Sequence, residues 1–379
     1  MHSTQTRDLV FFWEKGFGDN PANPPQLEGH PMSFDLESLK DRVQYFYHFF
    51  RDTLRFSLPG SKADRYKMMV MINYSLEGTA YGGTYDNFIG ALWVTPNRIQ
   101  DRKFNCLAHE LGHSFQLQIQ ADSLSTCWGG SGFFEMTSQW MLWLVNPDWL
   151  TDENYHFEAF KKLTHKAYLD GSNIYHSPYV IAYWGEKHGL TSIADLYRDG
   201  RQGEDPVMTY QRHYGISQQR FNDEMIDCYQ RLVNLDYRHA YKETRRYACQ
   251  FATPMEAAGS GWSPKKEFTP EDYGFNAIRL TGCQSGKKVV ATVAASDQAL
   301  RQGGLRYGLV AVTAAGKAVY GKPVAHGCAS LKMPAEPLKA VYLVVMGAPA
   351  KHQRLSWDEK RPNRQYPYTV AFNKGVRPE

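Results

Sequence analysis

The sequence predicts an α+β protein: a mostly helical domain with an N-terminal β-sheet over residues 1–255, followed by an all-β sandwich over residues 256–379. Three observations carry this. Apolar residues recur at helical spacing up to about Tyr247, strand patterns separated by Gly, Pro and Ser dominate from Phe275 onward, and those turn residues concentrate between Thr253 and Asp272. At 379 residues the chain is long enough for two domains with a sizeable buried core.

Residues 8–14, Asp-Leu-Val-Phe-Phe-Trp-Glu, read as an opening strand, and a Pro- and Gly-laden loop runs on to Pro31. Leu36, Leu39, Val43, Phe46, Tyr47 and Phe50 then mark a helix to about Leu54, with Ser33 or Asp35 placed to cap it. The continuous run Met-Met-Val-Met-Ile within Lys67 to Tyr74 predicts a strand buried on both faces. Leu76 to Asn87 reads as a Gly- and Tyr-rich loop. Phe88 to Val94 is a strand stopped by Pro96; it is either the sheet edge along which an extended substrate pairs or an ordinary core strand. A helix follows from about Asp101 to Gln118, then a turn at Gly129-Gly130-Ser131-Gly132 and an apolar helix from Phe133 to Val145. Further helices are expected at Glu153 to Leu169, Pro178 to Lys187, Ile193 to Tyr197 and Ser217 to Tyr237. In the second half the expected strands are Asn276–Leu280, Lys288–Ala294, Leu305–Thr313, Ala318–Tyr320, Ala340–Met346 and Tyr368–Phe372, at sandwich spacing.

The chemistry concentrates in Leu107-Ala108-His109-Glu110-Leu111-Gly112-His113. On a helix of about 3.6 residues per turn, positions i and i+4 share a face, so His109 and His113 can aim ring nitrogens at one ion. Glu110 sits beside the open position of that ion, where a carboxylate can take a proton from water and pass it to a leaving group. The bland alternative is an amphipathic helix with solvated histidines. Against it stands Gly112, which costs about 1 kcal/mol in a helix interior unless something packs closely there. Catalytic zinc takes three protein ligands and keeps one position for water. Gln116 and Ile119 stand where the extended H-E-x-x-H-x-x-G-x-x-H set needs Gly and His, which excludes that set. Glu135 is the better third ligand, because a lone carboxylate in so apolar a helix is costly unless it is paired or on a metal. Its alternative role is a salt bridge to a nearby Lys or Arg.

The formal net charge of +4 is spread without a basic run, so no nucleic-acid footprint exists, and no apolar run reaches the about 18 residues of a membrane span. Six cysteines fall as sequence neighbours, Cys106 with Cys127, Cys228 with Cys249 and Cys283 with Cys328; the count fits three disulfides, with free buried thiols as the alternative. The start Met-His-Ser-Thr-Gln-Thr-Arg-Asp lacks the features of a secretory signal and by itself points to the cytoplasm; the paired cysteines point the other way.

The pattern His109-Glu110-x-x-His113 followed by Glu135 resembles the gluzincin branch of the zincin metallopeptidases. A narrower resemblance spans nearly the whole chain. The stretches Leu9-Val-Phe-Phe-Trp-Glu-Lys-Gly-Phe-Gly, Ala108-His-Glu-Leu-Gly-His-Ser-Phe-Gln, Phe134-Glu-Met-Thr-Ser-Gln-Trp and Gln365-Tyr-Pro-Tyr are similar to a bacterial family of secreted proteins of unknown function with a zincin-like core. The resemblance implies a zincin-like domain, export to the periplasm or beyond, a Zn2+ cofactor on His109, His113 and Glu135, and Glu110 as general base in hydrolysis of a protein or glycoprotein substrate. It also implies an oxyanion donor downstream, for which Tyr175 and His176 are the candidates, with Tyr179 close behind; packing or surface roles are the alternative for each. Gluzincins often place an Asp four residues after the third ligand, and Gln139 stands there. That departure keeps a rival open, a zincin scaffold that captures glycans or proteins around a structural or vestigial zinc. A zinc hydrolase of a non-peptide bond is a third reading. In the second half, Trp262, Tyr307, Tyr320, Trp357 and Tyr366 form either a sugar-stacking face or sandwich core.

Overall fold

The computed structural model describes residues 1–124, 128, 132–354 and 362–379. The protein is mixed α and β, and it divides into two compact units whose segments alternate along the chain. The first comprises Met1–Gly129, Phe133–Trp149 and Trp184–Thr209; the second comprises Gly130–Gly132, Leu150–Tyr183 and Tyr210–Glu379. A boundary after residue 255 falls inside the second unit.

The first unit is built on a five-stranded sheet of β1 (His2–Gln5), β2 (Leu9–Trp13), β3 (Met68–Ile72), β4 (Tyr81–Tyr85) and β5 (Ile89–Val94), in the order β1-β2-β3-β5-β4. The three central strands are parallel, and β1 and β4 are antiparallel to their neighbours. Two expectations are corrected here. The edge strand next to β5 is β4, in the stretch expected to be a loop, whereas β5 lies between β3 and β4 and is internal. And β3 alternates: Met68, Val70 and Ile72 are buried, while Met69 and Met71 on the other face are half-buried. The sheet packs on α2 (Asn105–Ala121), and α1 (Leu36–His48) meets α2 through contact of the Tyr47 and Phe115 rings. Asp35 caps α1 by accepting from the Ser38 amide at 3.0 Å. The apolar helix α3 (Phe133–Val145) completes this unit's core with Trp140 and Trp143 fully buried.

In the second unit two five-stranded antiparallel sheets face each other. One runs in the order Ala318–Tyr320, Leu305–Thr313, Leu338–Gly347, Phe275–Thr281, Arg377–Pro378; the other runs Cys328–Lys332, Lys288–Ala295, Tyr368–Phe372, Gly261–Pro264, Met255–Ala258. Ile278, Leu309 and Leu343 from the first sheet share a core with Val289, Val293 and Val370 from the second. The residues expected to form the linker thus supply two strands, Met255–Ala258 and Gly261–Pro264. The helix Gln218–Leu232 belongs with the sandwich because its polar side chains satisfy sheet and loop carbonyls: Gln230 donates to Leu309 and Gly321, and Asn222 to Pro349. Tyr307 and Tyr366 are core, so a sugar-stacking face through them is excluded; Trp357 lies outside the described residues.

Cys249, Cys283 and Cys328 are free thiols, so the pairings 228–249 and 283–328 do not form. The Cys106–Cys127 pairing lies outside the described residues. No helix among the described residues is long and apolar enough to cross a membrane.

Candidate metal centre

Helices α2 and α3 cross at close range, and Gly112 makes that possible. A Cβ at Gly112 would lie 2.7 Å from Ser138 Oγ and 3.3 Å from Ser138 Cα. The glycine's cost in helix propensity is therefore offset by the approach it permits, which brings Glu135 over the two histidines.

The three side chains converge. His109 Nε2 and His113 Nε2 are 3.1 Å apart, and each faces the same oxygen, Glu135 Oε2, at 3.2 and 3.1 Å. Among the described residues this is the one group of three or more His, Cys, Asp or Glu able to hold a metal ion. All three side chains are largely buried.

The neighbouring Gln116 fixes the orientation of His113. Its amide nitrogen donates to Phe134 O at 3.0 Å and to Ser138 Oγ at 3.1 Å; the first partner can only accept, so the amide orientation is set. Its oxygen must then accept, 3.1 Å away, from Nδ1–H of His113. In the neutral ring this leaves His113 Nε2 as a bare lone pair, aimed at a carboxylate oxygen. A metal ion between the two acceptors, or a proton on Nε2, satisfies both at this distance. Burial works against charge on both partners, yet the carboxylate of Glu135 raises His113, and the two rings hold Glu135 well below the usual carboxylate range. The donor set suits zinc: tetrahedral ligands at about 2.0–2.1 Å from the metal lie roughly 3.4 Å apart, close to the spacing found.

Glu110 is half-buried on α2, and its charge is among the influences raising His113. Strand β4 lies directly on its backbone: a Cβ on Gly82 would collide with the Glu110 peptide group, 2.6 Å from its carbonyl carbon. Tyr197, on the helix Ser192–Asp199, meets the Phe134 ring edge-on at 5.2 Å. Burial, reinforced by the charge of Glu135, keeps its hydroxyl protonated.

The structure thus brings together His109, His113, Glu135 and the adjacent Glu110. Tyr175 and His176 belong to the other compact unit. There His176 Nδ1 lies 2.6 Å from His156 Nδ1, and burial together with that neighbour pushes its pKa down to about 4. Gln139 is buried within α3. The orienting bond to a zinc-type histidine comes instead from Gln116, the very residue that excludes the longer three-histidine pattern. Its signal in the sequence was its place three residues after His113, one turn along the same helix. Nothing in the sequence marked Tyr197.

A site of this composition, on a helix under the edge of a mostly parallel sheet, is able to hold a metal ion. The chain belongs to a family of unknown function (DUF6055), which matches residues 1–378. No curated protein matches the sequence. Among solved structures it is similar to the ZmpB metallopeptidase from Clostridium perfringens, at 13% identity and a TM-score of 0.30, over 91% of this chain and 62% of that one. The chain therefore spans less than two thirds of that neighbour's length.

Proposed function

We propose that this is a secreted or periplasmic zinc metallopeptidase of gluzincin type, hydrolysing peptide bonds in a protein or glycoprotein substrate. The single observation that carries the reading is the triangle of two ring nitrogens and one carboxylate oxygen, 3.1 to 3.2 Å on each side, with Glu110 next to His109 on the same helix. His109, His113 and Glu135 would hold a zinc ion, which would supply water of lowered pKa and a polarised carbonyl. Glu110 takes the proton from the attacking water and hands it to the leaving amine. Gln116 keeps His113 in the tautomer whose Nε2 faces the ion. The free edge of β4, lying over Glu110, receives the substrate backbone as an added strand. The sandwich is an accessory domain that carries no part of the metal set.

The test joins metal content to turnover. Protein purified without chelator is expected to carry about one zinc per chain by elemental analysis, and Glu110→Gln is expected to keep the zinc while losing cleavage of a denatured-protein substrate by at least about 100-fold. Absence of stoichiometric metal, or a Glu110→Gln variant as fast as the parent, overturns the reading. Zinc without turnover in the parent indicates a binding scaffold.

A further inference from the structure

We propose that Tyr81 and Tyr85 form a specificity ledge that selects extended peptides with aromatic side chains four residues apart. The inference rests on the reading that a substrate strand lies along β4.

The ladder decides which side chains share a face. Gly82 is opposite Leu92 and faces α2, whereas Tyr81, Gly83 and Tyr85 point to the other side of the sheet with Ala91 and Trp93. On that face the Tyr81 ring meets Trp93 at 5.7 Å and folds over Gly83, where a Cβ would come within 2.9 Å of the Tyr81 ring. The shelf is exposed: Tyr81 keeps 58% and Tyr85 48% of its surface open to solvent. Large rings left in solvent on a sheet edge are an aggregation liability, and their retention at two alternate positions beside a metal centre calls for a use. The hairpin that holds them is firm, because Asp86 and Asn87 both take positive φ in a tight turn closed by the Phe88 amide on Tyr85 O at 2.9 Å.

An added strand would lie about 4.8 Å from β4, with its side chains alternating in step. One set points toward α2 and the metal centre. The other set meets the ledge, directly opposite or diagonal to Tyr81 and Tyr85, where aromatic pairs are the favoured partners. Between them the substrate crosses Gly83, which offers backbone and the overlying Tyr81 ring. The occupant is therefore a peptide in extended form with aromatic residues at positions i and i+4.

The experiment separates this proposal from the peptidase reading by using binding as its first readout. Phage-displayed random dodecapeptides are selected on zinc-loaded full-length Glu110→Gln protein, then on the same protein carrying Tyr81→Ser with Tyr85→Ser, or Tyr81→Phe with Tyr85→Phe. Enrichment of aromatic residues four apart is expected on the first protein, retained on the Phe pair and reduced about 3- to 10-fold on the Ser pair. Equal enrichment on the Ser pair, enrichment without that spacing, or no selected peptides overturns the proposal. The selected peptides are then given to the parent enzyme: tyrosine-dependent binding without cleavage leaves the ledge standing and sinks the peptidase reading, whereas cleavage with tyrosine-independent selection does the reverse.

Discussion

At the residue scale the centre depends on Gln116 as much as on the three side chains that face one another. A histidine ligand is useful only in the tautomer that bares the correct nitrogen, and here a neutral amide, locked by Phe134 O and Ser138 Oγ, imposes it. Replacing Gln116 with Leu removes that bond and is expected to weaken zinc about 10- to 100-fold, measured by competition with a fluorescent chelator. Glu135→Gln keeps the shape and removes the charge that raises His113; it is expected to lose zinc affinity more than Gln116→Leu does, and equal affinity would show that Glu135 is no ligand. The amide at Gln139 marked a departure from the gluzincin pattern. A bond to one histidine of the group comes from another position, Gln116, one turn along α2.

At the scale of elements, the proposed function depends on how closely α2 and α3 approach and on which strand is at the sheet edge. Gly112→Val would push a branched side chain into Ser138, and overpacking of this kind costs about 1–3 kcal/mol. The expected result is a lower urea midpoint at unchanged slope, together with weaker zinc binding, since the same contact positions Glu135. The edge strand was partly legible. Gly82 and Gly83 make Tyr81–Tyr85 read as a loop, yet Asp86-Asn87 after Tyr85 is a turn signal. Glycine in a strand marks close approach of another backbone, and Gly82 meets the backbone of Glu110. The sequence also left open whether β5 was edge or core; its neighbours on both sides decide for core.

At the scale of the whole molecule, two linked equilibria follow. A metal that binds only the folded chain stabilises it by about 2.7 kcal/mol at a free concentration of 100 times Kd, so chelation is expected to lower the melting temperature and zinc to restore it, by scanning calorimetry. The second concerns His176, whose folded pKa of about 4 lies below its ordinary 6.5 because burial and His156 disfavour its charge. The unfolded chain then binds the proton more tightly, so this contribution is intact above pH 6.5 and is lost as pH falls from there toward 4. Urea titrations at pH 7 and 5 are expected to show a smaller drop in stability for His176→Gln than for the parent; equal drops would remove His176 from the account.

The periodic elements were legible by themselves. Helix Phe133–Val145 and strands Leu305–Thr313, Ala318–Tyr320 and Tyr368–Phe372 stand where their patterns end, because apolar periodicity and turn residues are local properties. So was the convergence of His109, His113 and Glu135, since i, i+4 spacing puts two rings on one face and a lone carboxylate in an apolar helix needs a partner. Tertiary structure decided the rest. The interleaved units, the strands in the supposed linker, the free thiols, the buried tyrosines, the edge role of β4 and the tautomer imposed by Gln116 all depend on contacts between residues distant in sequence or on which of several hydrogen-bond partners is reached. Local pattern cannot specify such pairings, because the same glycine or glutamine suits a loop, a strand or a helix until a neighbour is packed against it.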